Sequence, residues 1–97
     1  MTFAFQLTEA GNTWNPALEA FHRKGYRLWV ELDDADDEAQ AIWCAEKDGH
    51  LFNAFGPVAL LGLVALWEQF GDNWRDGVST RDWYDEIFAR ATGEHDP

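Results

Sequence analysis

The chain holds one cysteine, Cys44, and two lysines, Lys24 and Lys47, among 97 residues. A single thiol excludes an intramolecular disulfide and is consistent with a reducing compartment. Basic residues are scarce: 7 Lys plus Arg stand against 18 Asp plus Glu, a formal net charge of −11. Nucleic acid and anionic membrane surfaces are bound through Lys and Arg. This balance therefore excludes both as direct partners. It favours basic proteins, whose encounter long-range attraction would speed.

Long hydrophobic runs are also missing. The most apolar stretch, residues 58–67, follows Pro57 and is about half the roughly 20 residues that a spanning helix needs. Residues 1–6 lack the basic and apolar regions of a signal peptide. These features lead to the expectation of a soluble, cytoplasmic protein with no membrane partner.

No constellation for catalysis, metal or cofactor stands out. The eight glycines are scattered at apparent turns and helix ends rather than gathered in a phosphate-binding loop. His22, His50 and His95 are far apart, and structural zinc needs four ligands at characteristic spacings. A calcium loop starting at Asp72 fails because its third and twelfth positions are Trp74 and Trp83. One starting at Asp34 accepts Asp36 and Glu38, but then meets Ala39 and Ala45 where Gly and Glu are required. Cys44 with His50 would lack a third orienting group. Reactive thiols also need electropositive surroundings, and Cys44 has apolar and acidic neighbours. Cys44 reads instead as a small core residue. Carboxylate pairs are unavoidable among 18 acids and carry no weight. The expectation is a protein that is not an enzyme and has no metal and no cofactor.

Acidity on this scale in a short chain usually signals disorder. Here 46% of residues are apolar and 15% aromatic, with six Trp, which is enough to build a core. Residues 1–97 read as one domain that buries roughly 60–65% of its unfolded surface.

Alternating Phe3, Phe5 and Leu7 predict a first strand. Asn15 followed by Pro16 predicts a helix start, with Leu18 and Phe21 on the buried face and Gly25 as the stop. Residues 26–32 alternate cleanly, with Tyr26, Leu28, Val30 and Leu32 facing one way and Arg27, Trp29 and Glu31 the other. Asp48-Gly49 predicts a hairpin pairing residues 41–46 with 50–54, although residues 39–46 also contain good helix formers. Gly56-Pro57 opens a helix to about Phe70 that is apolar on nearly every face. It is expected to be buried all round, with Gly62 permitting close contact. Ser79 with Asp82 resembles a capping box for a last helix reaching about Ala91, where Trp83, Ile87 and Ala91 form a stripe beside Tyr84 and Phe88. The order β-α-β-β-β-α-α predicts a small α+β domain: a single-layer antiparallel sheet with helices packed on one face.

The charge is concentrated. Residues 31–48 hold eight acids and one base, a net of −7, and residues 72–97 add −4. The run Asp33-Asp34-Ala35-Asp36-Asp37-Glu38 follows the clearest strand. Alternate strand residues lie about 7 Å apart, of the order of the spacing between neighbouring phosphates. Glu31 and Asp33 would lie this way if the strand extends that far. Glu46 and Asp48 on the hairpin, with Asp82, Asp85 and Glu86 on the last helix, would enlarge the surface.

The tryptophans divide by surroundings. Trp67 and Trp83 read as core, and Trp43 faces the sheet surface. Trp29 falls out of phase with the buried face of its strand, and Trp14 and Trp74 lie near turns. An exposed Trp is a common interface anchor.

The expected function is a small acidic inhibitor that binds a basic, nucleic-acid-handling protein and blocks its nucleic-acid site by charge mimicry. Its contact residues would be Trp29, Glu31, Asp33, Asp34, Asp36, Asp37, Glu38, Glu46 and Asp48. Immunity proteins of nuclease toxins and phage-encoded inhibitors of bacterial defence, anti-CRISPR proteins among them, share this small size and acidity. That is an analogy of properties, not a resemblance of sequence. The alternative is an adaptor or homodimerising module that uses exposed aromatics, with the acids serving solubility.

Overall fold

The computed structural model describes residues 2–32, 41–76 and 81–93. It is an α+β fold in which one three-stranded antiparallel sheet carries two helices on one face. Helix α1 (Trp14–Lys24) leads into β1 (Arg27–Glu31), then β2 (Ile42–Lys47), β3 (His50–Ala54), α2 (Pro57–Phe70) and α3 (Trp83–Thr92). The strand order is β1-β2-β3.

The hairpin is set by its turn. Lys47 pairs with His50, which leaves Asp48 and Gly49 as a two-residue loop. Both have positive φ, 53° and 84°, the conformation that matches the twist of flanking strands. Register then fixes the faces. Ala45 and Phe52 are partners and face the helices, whereas Trp29, Cys44 and Asn53 align across the three strands on the opposite face.

The core lies between the helix-facing side of the sheet and α1 and α2. Phe21, Ala45, Leu60 and Val64 are completely buried, with Tyr26, Leu28, Trp43 and Phe52 packed around them. The Tyr26 ring meets Phe21 edge-on at 5.4 Å. Burying each large member contributes about 1.5–3 kcal/mol.

Helix α1 begins one residue before the expected Asn15 cap. Thr13 Oγ1 donates to the Ala10 carbonyl at 2.6 Å and accepts from the Ala10 N–H at 3.3 Å. This closes a short 3-10 turn (Gly11–Thr13) that runs directly into the helix. Ala17 and Phe21 form its buried face. Strand β1 is one residue shorter at each end than residues 26–32, and the hairpin pairs 43–47 rather than 41–46 with 50–54. Helix α3 starts at Trp83 because Asp82 itself caps it, accepting from the Asp85 N–H at 3.0 Å. The expected cap Ser79 lies outside the described residues.

Three expectations of packing are corrected. Residues 3–7 form no strand; Phe3, Phe5 and Leu7 are 67–79% exposed. Helix α2 is not buried all round: only Pro57, Leu60 and Val64 are buried, while Leu63, Leu66 and Phe70 are exposed. Gly62 faces open space, with nothing within 4 Å of where a Cβ would stand. Nor is Trp83 a core residue, since α3 buries none of its side chains. One physical reason covers all three: apolar periodicity specifies which face would be buried, but another element must supply the cover. The radius of gyration, 16.9 Å, exceeds the about 12.5 Å expected of a compact chain of this length. Among the described residues, no helix is long and apolar enough to cross a membrane.

Candidate partner-binding surface

The sheet face turned away from the helices carries the described part of the expected site. On β1 the side chains of Arg27, Trp29 and Glu31 share this face, because they alternate with Leu28 and Val30. Trp29 Nε1 donates to Glu31 Oε2 at 3.1 Å, and the Arg27 guanidinium lies 4.8 Å from the Trp29 ring centre. Arg27 also reaches across to Glu46 on β2, 3.5 Å away. The second Glu46 oxygen accepts from the Gly49 N–H at 3.0 Å, tying the carboxylate to the hairpin turn.

Glu31 and Glu46 thus share a face but not an end. Glu31 pairs with Ile42 and Glu46 with Arg27, which separates them by four strand positions, about 13 Å. Between them Trp29 and Cys44 are cross-strand partners. Asp48 stands beyond Glu46 in the turn. Asp33, Asp34, Asp36, Asp37 and Glu38 lie outside the described residues, and so does the expected Glu31–Asp33 spacing, because β1 ends at Glu31.

Cys44 is 1% exposed, and Asn53 Nδ2 approaches its sulfur at 3.8 Å. Its register puts it on the face opposite His50, so the two cannot act together on one substrate. No group of three or more His, Cys, Asp or Glu side chains that could hold a metal occurs among the described residues.

At the start of α3, Asp82 caps the helix and Glu86 is engaged by Arg81. Arg81 forms a two-pronged ion pair with Glu86, at 2.8 and 2.6 Å. These hydrogen bonds hold the Glu86 carboxyl below its ordinary range and raise the Arg81 guanidinium.

Sequence spacing did not reveal a second cluster, on the helix-facing side. Asp72 Oδ1 accepts from Trp67 Nε1 at 2.6 Å and lies 2.9 Å from His50 Nε2. The indole hydrogen bond, then that of His50, lowers the Asp72 carboxyl below its ordinary value. The His50 and Trp67 rings are 4.7 Å apart, and Phe52 meets Trp67 edge-on at 5.9 Å. The cluster forms one end of a groove of about 520 Å³ between β3 and α2, whose apolar wall includes Leu63, Leu66 and Trp74. His50 follows the hairpin turn and Asp72 follows the glycine that ends α2, 22 residues apart, so only the tertiary fold brings them together.

Comparison with protein-family models, with curated proteins and with solved structures finds no match for this chain.

Proposed function

We propose that this chain is a non-catalytic acidic inhibitor that occupies the nucleic-acid site of a basic partner protein, with carboxylates standing where phosphates would bind. The observation that carries this reading is the distribution of charge along the chain. Arg23, Lys24, Arg27 and Arg81 each pair with a carboxylate of the same chain. Arg75 lies over the Trp74 ring, and Lys47 donates to a backbone carbonyl. Six of the seven bases thus have a partner within the chain, and residues 31–48 hold a surplus of −7. Glu31 is met by the neutral Trp29 indole, which leaves its charge available beside a half-buried aromatic anchor. Charge would set the rate of encounter, and the aromatic contact the residence time.

The test is capture of bound proteins from the source cells by two forms of the chain. One is wild type; the other carries Asp33, Asp34, Asp36 and Asp37 changed to Asn and Glu38 to Gln. The expected partner is a basic nucleic-acid-binding protein, held by wild type alone and released as salt rises. Equal capture of the same partner by the neutralised form would sink the reading.

A further inference from the structure

The outer edge of β3, which no described strand covers, and the unladdered segment 3–7 are complementary. A two-residue turn makes its flanking pair, Lys47 and His50, a hydrogen-bonded pair. His50, Phe52 and Ala54 then direct their backbone groups inward to β2. Leu51 and Asn53 direct theirs outward, to an edge that no described strand covers. Beside that edge runs the groove lined by Phe52, Leu63, Leu66, Trp67 and Trp74. An extended strand added here would form edge hydrogen bonds and drop every second side chain into an apolar cleft. The occupant must carry apolar residues at i, i+2 and i+4.

Residues 3–7, Phe-Ala-Phe-Gln-Leu, have that pattern. Their own copy's groove lies on the wrong side of α2. The root of the segment, Thr8 and Glu9, lines a cavity together with Val58 and Leu61, whereas the β3 groove is flanked by Leu63, Leu66 and Trp67. At 100° per residue these two sets fall on opposite flanks of the helix.

We propose that residues 3–7 of one copy add as a fourth strand to β3 of a second copy, with Phe3, Phe5 and Leu7 seated in its β3–α2 groove, and that the exchange is reciprocal. Each copy supplies one arm and one acceptor, so a two-fold arrangement closes. Two aromatics and one Leu per arm, matched by the groove walls, bury on the order of 1,500–2,000 Å² over both arms, the size of a stable interface. Residues 2–8 carry no charge, so among segments of a chain with net charge −11 this one meets its twin at little electrostatic cost.

The experiment is sedimentation of the full chain as wild type, as Phe5→Asp and as Leu66→Lys. Both substituted side chains are solvent-exposed, and circular dichroism of each variant is to match that of wild type. The expected result is a wild-type dimer, with each variant associating about tenfold or more weakly. Mixing the two variants should give a mixed dimer tighter than either variant alone and weaker than wild type, since one of its two arm–groove exchanges is intact. The dimer should strengthen as salt screens the like charges. That is opposite to the response of the proposed basic partner, so the two readings fail separately. A wild-type monomer at about 100 µM in about 0.5 M salt overturns the proposal. So does a dimer indifferent to Phe5→Asp, or variants that fail to complement on mixing.

Discussion

Lys47 Nζ donates to the carbonyl oxygen of Lys24 at 2.6 Å. That oxygen belongs to the last turn of α1, where carbonyls lack partners within the helix. A cation from the hairpin thus closes the end of α1, favourably placed for the helix dipole. The same side chain passes Gly25, which sits at φ 88°, and stands 5.6 Å from the Tyr26 ring centre. This contact adds a polar tie between the helix and the hairpin that carries Glu46 and Asp48, beside the core packing of Phe21 with Ala45.

Lys47→Met keeps the aliphatic stem and removes the donor. It is expected to cost about 1 kcal/mol, seen as a fall in Tm of about 4–8 °C. Gly25→Ala is expected to cost about 1–2 kcal/mol, because a Cβ is strained at that φ. Thermal melts of the two single variants check both values, and no change in either would show that the helix end is not held in this way.

The Asp72 carboxyl is lowered from its ordinary value of 3.8 by the hydrogen bonds from Trp67 and His50. A depressed carboxylate contributes stability above its unfolded pKa and loses it as pH falls through the folded value. Wild type is therefore expected to exceed Asp72→Asn in Tm at pH 6, with the gap closing below about pH 4. The measurement is the difference in Tm between the two across pH 6 to pH 2. A gap that widens on acidification contradicts the assignment.

Phe21 is completely buried, whereas Phe88 on α3 is 58% exposed. Phe21→Ala is expected to cost about 3–5 kcal/mol, enough to unfold a marginal domain. Phe88→Ala should change stability by no more than about 0.5 kcal/mol. Urea unfolding of the pair distinguishes core from surface, and a large loss with Phe88→Ala would place α3 within the cooperative core.

Asp48 occupies a left-handed turn position, φ 53°, that Asn adopts readily. Asp48→Asn should leave Tm nearly unchanged while removing one negative charge from the hairpin. Any loss of partner binding by this variant then reports charge rather than misfolding. A titration of wild type and variant with the captured partner, at equal salt, measures that difference.

The hairpin was legible in sequence because Asp48-Gly49 specifies its turn locally, whatever the rest of the chain does. The helix end at Gly25 was legible for the same kind of reason, the glycine having positive φ. The face assignments of Trp29 and Glu31 followed from strict alternation. The exposure of Leu63, Leu66 and Trp83 did not, because periodicity records an apolar stripe and says nothing about whether a neighbour covers it. Asp72 with His50 was invisible for a different reason. Their bond depends on where α2 releases the chain relative to the start of β3, a distance that no local pattern encodes.

Cys44 lies at the centre of the middle strand, almost wholly inaccessible, and it is the chain's only thiol. A water-soluble thiol reagent can reach it only when the groups covering that face move aside. Its modification rate therefore counts local openings around the sheet, much as amide exchange does. The molecule contains its own gauge of how often that happens, readable without an added label and in the presence of any binder that grips the sheet.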